Sequence, residues 1–186
     1  MSQYIELNST TRDRQTYPNP HKYELLPSQV ATWLNSSIIS SDRTAMMSST
    51  ANVDMAIRVK NVVLPYTDAL LESPRIYLDL HTVGMDTGRQ ILCIDGDHRR
   101  AKFVLTLDKV ITDSDDASVW LQYKTDMMQV IPFGFKQPIA IEFFDITGTT
   151  LVGTDAAYPT EATAAKQTFV TFELSPYQSS HRTDVY

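Results

Sequence analysis

The chain has 186 residues, of which 42% are hydrophobic and 20% charged. That is enough apolar material for one domain with a real core, and too much for a wholly disordered polymer. The net charge of −6 argues against binding nucleic acid through bulk charge, so no nucleic-acid partner is expected. The single cysteine, Cys93, excludes an internal disulfide and makes a reducing compartment the default.

Residues 1–50 carry four basic and four acidic side chains, and residues 51–186 carry the other twelve and eighteen, so the net charge lies entirely in the second part. The first ten residues, MSQYIELNST, are neither basic nor apolar, so no secretory signal is expected. No stretch approaches the roughly 20 apolar residues of a membrane helix, so no transmembrane segment is expected either. The sequons at Asn8 and Asn35 read as chance matches in a Ser/Thr-rich context.

The leading segment, NSTTRDRQTYPNPHKYEL, is too polar to build a core and too rich in aromatics and prolines for an idle tail. Asn8, Ser9, Thr10 and Thr11 favour turns, because short polar side chains bond the nearby backbone. Pro18 and Pro20 fix φ and push the residues before them into extended geometry. HKYELLP then reads as a short strand ended by Pro27. Arg12, Asp13 and Arg14 offer charge and planar donors suited to carboxylates and carbonyls. Tyr17 and Tyr23 offer apolar area with a polar tip. Such a segment suits lying across a surface, either that of a neighbouring molecule or, as an edge strand, that of its own domain.

Residues 28–50 contain ten Ser or Thr in twenty-three positions. Val30, Trp33, Leu34 and Ile38 have the spacing of one or two amphipathic helical turns, and the remainder reads as loop or linker. These considerations place an arm at 1–52 and a folded domain at 53–186.

From residue 53 onward the pattern is strand after strand. Ile76, Leu78 and Leu80 alternate with polar or aromatic neighbours. Phe103, Leu105 and Leu107 also recur at every second position, as do Val119, Leu121 and Tyr123, then Ile139, Ile141 and Phe143, and finally Val170, Phe172 and Leu174. Period two with one apolar side predicts antiparallel sheets packed on one face and wetted on the other. With MAIRVKNVVLP, RQILCID and MMQVIPF, about eight strands are expected, the pattern of a sandwich or barrel. The alternation slips near Lys60 and Asn61, which predicts a bulge there. Asp95-Gly96 predicts a hairpin turn and Gly148 a second tight turn. A short helix is open within TDAAYPTEATAAKQ.

Signs of chemistry are weak. Asp95, Asp97 and His98 have metal-binding atoms, but the same residues are common at a solvated hairpin tip. TDSDDAS lacks the glycine and terminal glutamate of a calcium loop. Cys93 lies in an apolar run, where a thiol behaves as a small hydrophobe. Arg99, Arg100 and Lys102 read as a charged strand edge. A hydrolase would have to draw on Asp95, Asp97 or Glu142, and nothing in their spacing favours one. No catalytic residue, metal site or cofactor is expected, and the chain reads as no enzyme. A ligand- or carbohydrate-binding β-sandwich, with Trp33, Trp120 and Tyr123 as contacts, is the alternative reading.

The run Ser9, Arg12, Asp13, Arg14, Tyr17, Pro18, Asn19, Pro20, Tyr23 resembles a signature of structural proteins from large icosahedral DNA viruses of the nucleocytoplasmic group. There a Ser-x-x-Arg-Asp-Arg segment precedes Tyr-Pro-Asn-Pro-x-x-Tyr and then a jelly roll. IRVKNVVLPY and PRIYLDL are similar to the first core strands of that family. The Ser/Thr-rich segment at 28–52 departs from its pattern. The resemblance implies an all-β protein, a single eight-stranded antiparallel jelly-roll sandwich with an extended N-terminal arm, acting as a minor capsid protein. It further implies assembly in the host cytoplasm into the virion capsid, at a five-fold vertex or as cement under the shell. The expected partners are other capsid proteins, namely the major capsid protein or copies of this chain. The expected contact residues are Arg12, Asp13, Arg14, Tyr17, Pro18, Asn19, Pro20 and Tyr23.

Overall fold

A computed structural model describes residues 3–13, 15–26, 52–85, 91–92, 98–99, 101–112, 119–134, 137–152 and 167–177. The described chain is almost entirely strand. In order the strands are β1 (Gln3–Asn8), β2 (Lys22–Leu25), β3 (Asn52–Pro65), β4 (Arg75–Thr82), β5 (Ile91–Leu92), β6 (His98–Arg99), β7 (Phe103–Thr112), β8 (Val119–Lys124), β9 (Met128–Gly134), β10 (Ile139–Phe144) and β11 (Phe169–Pro176). A 3-10 turn, Ser9–Thr11, follows β1, and one α-helical turn, α1 (Asp68–Leu71), precedes β4. No helix among the described residues is long and apolar enough to cross a membrane.

Nine strands form one antiparallel sheet in the order β1-β11-β3-β8-β7-β4-β10-β2, with β9 also paired to β3. The long β3 is the hinge of this arrangement. Its whole length from Met55 to Val63 pairs with β11 on one side, while on the other its first half pairs with β9 and Val62–Pro65 with β8. The predicted bulge is present: Asn61 opposes Thr171 and Val59 opposes Phe172, so Lys60 is the extra residue. The inward set switches with it, from Met55, Ile57 and Val59 to Val62 and Leu64, all fully buried.

The strand count differs from the expected eight. Seven of the eight strands foreseen after residue 53 enter the main sheet, and the leading segment adds β1 and β2. Of RQILCID the described residues are Ile91–Leu92, which pair with His98–Arg99 as a separate two-stranded ribbon. The Asp95-Gly96 turn, Cys93, Arg14, Arg100, Trp33, the 30–38 helical spacing, the acidic loop and the short helix foreseen near Pro159 lie outside the described residues. Gly148 does take a positive φ of 82° in a tight turn.

The sheet is curled. At about 4.8 Å per strand, the eight-strand path laid flat would separate β1 from β2 by roughly 34 Å. Yet Ile5 and Leu7 of β1 share one apolar core with Tyr23 and Leu25 of β2. That core also takes the inward residues of every other strand in the sheet, including Ile57, Leu78, Phe103, Leu121, Ile131, Ile141 and Phe172. Tyr123 lies there too, its hydroxyl donating to Leu70 O at 3.0 Å at the end of α1. Burial within the core pushes the Tyr123 phenol up to about 12. Bringing the sheet's two ends together gives each strand an apolar interior on one side, which the sequence periodicity demands.

Candidate functional site

The leading segment builds the corner where the curled sheet closes. β1 runs antiparallel to β11, with Ile5 opposite Phe172, and β2 runs antiparallel to β10, with Tyr23 opposite Ile141. Between the two strands the chain must turn back from one end of the sheet to the other. Asn8 caps the first turn, its side chain accepting from Thr10 N at 2.9 Å. Asp13 holds the second, accepting from Gln15 N at 3.0 Å and from Thr16 Oγ1 at 2.7 Å. Those hydrogen bonds, that from Thr16 first, hold the Asp13 carboxyl below its usual range.

Arg12 lies at the centre of the corner and is only 4% exposed. Its Nη1 donates to Ser9 O and to Gln167 Oε1, both at 2.6 Å. Its Nε donates to Tyr17 O at 2.8 Å and its Nη2 to Pro18 O at 2.9 Å. The planar fork thus ties together the residue after β1, two residues before β2 and the residue two before β11. Ser9 Oγ donates to Gln167 Oε1 at 2.8 Å and accepts from Thr168 N at 2.9 Å. Ser9 N donates to Thr168 O at 2.9 Å. Ser9, Gln167 and Thr168 are all fully buried.

From the β2 side, the His21 ring reaches the same place, with Nδ1 3.0 Å from Thr168 Oγ1. Phe143 N donates to His21 O at 3.0 Å, and the two rings meet edge to face. Burial, and then the nearby Arg12 guanidinium, hold the His21 imidazole down to about 4, so it is neutral at pH 7. Burial likewise pushes the Tyr23 phenol well up. Asn19 braces the bend: its Oδ1 accepts from His21 N at 2.9 Å and its Nδ2 donates to Leu151 O at 2.7 Å.

The structure therefore turns Arg12, Pro20 and Tyr23 inward, half-buries Tyr17 and Asn19, and leaves Asp13 and Pro18 exposed. Burial first, then the nearby Glu24 carboxylate, push the Tyr17 phenol up. The sequence singled out all of these except Ser9's two partners, Gln167 and Thr168, and the histidine that joins them. Gln167 lies 155 positions from Arg12, and no local pattern announces so distant a contact.

Beside the corner lies an open hollow of about 520 Å³. Thr67, Glu72 and Ser73 line one side of it, and Asp145, Ile146 and Thr149 the other. Asp145 Oδ1 accepts from Thr147 N at 2.8 Å and Thr149 N at 2.9 Å, which fixes the loop between β10 and Thr150. Among the described residues no three His, Cys, Asp or Glu side chains cluster as metal ligands. Glu142 is engaged by Lys22 Nζ at 2.8 Å and Thr150 Oγ1 at 2.5 Å. Lys102 is buried, Tyr123 is part of the core and Trp120 is half-buried, while Arg100 and Trp33 lie outside the described residues.

The chain matches no protein-family model, and no curated protein matches it.

Proposed function

We propose that this chain is a structural capsid protein of a large icosahedral DNA virus, its sheet a single jelly-roll-type sandwich, placed at a vertex or as cement beneath the major shell. The observation that carries the reading is the convergence of the arm's signature. Ser9, Arg12, Tyr17, Pro18, Asn19 and Tyr23 resemble a viral structural signature in sequence, and in space they form one closure that fixes both outer strands. A signature whose purpose is architectural is what a shell component needs, because its surface must keep its shape under repeated contact. The antiparallel all-β architecture is a common capsid building block and supports the same reading. Among the described members of the signature, Asp13 and Pro18 remain on the surface to meet a neighbour.

Co-assembly tests it. The purified chain is expected to bind capsomers of the major capsid protein or to form a closed ring of its own, measured by native mass spectrometry. Five copies support the vertex, and a species that binds only capsomers supports cement. A chain that does neither removes the proposal's main support.

A second reading, a ligand- or carbohydrate-binding module, is favoured by the open hollow with its threonines, Glu72 and Asp145. Glycan-array binding that is lost in Glu72→Ala supports it, and an array without binding removes it. Fold alone decides neither.

A further inference from the structure

Among the described residues, three strands of the main sheet pair on one side only: β1, β2 and β9. A free strand edge is a template for another chain, and proteins blunt such edges with proline, lysine or short length. β9 carries Pro132 in its middle. β2 is four residues long, follows Pro20 and carries Lys22. β1, QYIELN, is six residues long and has no proline and no basic residue. Its outward face presents Tyr4, 64% exposed, and an exposed Glu6, while Ile5 and Leu7 point into the core. Among the described residues one edge is left open where the other two are guarded.

We propose that β1 is a strand-addition edge and that its occupant is β1 of a second copy of this chain, paired antiparallel about a two-fold axis centred on Ile5. Residues directly opposite in an antiparallel pair point to the same face, so inward residues must face inward ones. Every axis centred on a residue satisfies this. Centring on Glu6 sets two carboxylates opposite each other, which is unfavourable. Centring on Tyr4 sets Ile5 against Gln3 and leaves Glu6, Leu7 and Asn8 with no opposite within β1, and centring on Leu7 pairs only Glu6 to Asn8. Centring on Ile5 pairs Gln3 to Leu7 in full: Ile5 meets its own copy, and each Tyr4 faces a Glu6, bringing a phenol donor to a carboxylate. The strand is thus self-complementary in one register, and its charge pattern excludes the nearest alternative.

Such an interface is isologous and closes at two copies. It joins two sheets into one through main-chain hydrogen bonds, the mode used when an extended segment is added to a sheet edge. It does not generate a ring of five, so within the capsid reading it favours the cementing placement. The pairing itself does not depend on that reading.

Native mass spectrometry and sedimentation of the full chain across a concentration series test it. The wild-type chain is expected to dimerise. Tyr4→Glu sets two Glu pairs across the axis and is expected to weaken the dimer about tenfold. Tyr4→Lys, which faces Glu6, is expected to hold or tighten it, and the double change Tyr4→Glu with Glu6→Lys to restore it. Both side chains are exposed, so at concentrations low enough for every form to be monomeric the melting temperatures should match the wild-type value and report intact folding. A chain that stays monomeric throughout the series overturns the proposal. So does a dimer or a larger ring that Tyr4→Glu leaves unchanged, or equal weakening by Tyr4→Glu and Tyr4→Lys. A pentamer indifferent to Tyr4 would do so while favouring the vertex reading.

Discussion

The middle of the sheet and its closing corner are both buried, but they are held by different forces. Around Phe103, Leu64 and Ile76 the contacts are apolar and fully removed from water. Their stabilisation is non-directional and tolerates small shifts. At the corner, a guanidinium, an amide, two hydroxyls and an imidazole meet within one hydrogen-bonded cluster. There geometry matters more than area, because each buried polar atom depends on specifically placed partners. The contrast suggests a division of labour: apolar burial makes the sheet fold, and the polar corner decides where its two ends meet.

The largest expected effect lies in the apolar middle. Phe103→Ala, at a fully buried site, is expected to cost about 3–5 kcal/mol in chemical denaturation, through lost transfer energy and the cavity left behind. Next comes Arg12→Ala. It removes the donors to Ser9 O, Gln167 Oε1, Tyr17 O and Pro18 O, and is expected to cost about 2–4 kcal/mol. The two should differ in kind as well as size. Phe103→Ala is expected to lower protection of the whole sheet in hydrogen exchange. Arg12→Ala is expected to expose β1 and β2 first, since they close on Arg12, while β3 and β8 stay protected. Arg12→Lys should not rescue, because an ammonium cannot reproduce the planar fork. Equal loss of protection in all strands after Arg12→Ala would show that the corner is not a separate closure.

The sequence made the middle of the sheet legible and only half of the corner. Ile139, Ile141 and Phe143, or Val170, Phe172 and Leu174, announce their inward face by alternation alone, and even the slip at Lys60 shows as a break in that period. β1 went unread as a strand because only Ile5 and Leu7 carry its inward face, and the turn-forming residues after it dominate the local pattern. The corner showed its near half, Arg12 to Tyr23, as an unusual cluster of residue types. Its far half, Gln167 and Thr168, sits between unremarkable neighbours, and His21 is one of four histidines scattered along the chain. Contacts across about 150 positions are a product of tertiary closure and leave no local period to detect.

Third in size is a pH effect confined to the corner. His21 has the ordinary histidine value of about 6.5 when unfolded, but burial and the Arg12 guanidinium hold it down to about 4 in the folded chain. Between those values the unfolded state binds a proton that the native state refuses, so stability falls as pH drops from about 6.5 to about 4. The loss is on the order of 3 kcal/mol over that window. Denaturation of wild type and His21→Asn at pH 7 and pH 5 checks it: the difference between the two proteins should shrink at the lower pH. A difference that stays constant would mean that the imidazole is not held neutral beside Arg12.

The smallest stability effect should come from the guarded edge. Lys22 Nζ and Glu142 Oε1 are 2.8 Å apart, but the lysine side chain is 57% exposed, so Lys22→Ala is expected to cost less than about 1 kcal/mol and to lose even that effect at high salt. Its larger consequence should be in association. Lys22→Val makes the β2 edge more like β1, without a basic residue, while leaving the apolar core untouched. Light scattering at rising protein concentration should then show self-association through β2 that persists when Tyr4→Glu has weakened pairing through β1. If Lys22→Val stays as well dispersed as wild type in that background, short length and Pro20 alone guard β2, and the lysine contributes little to the difference between the two edges.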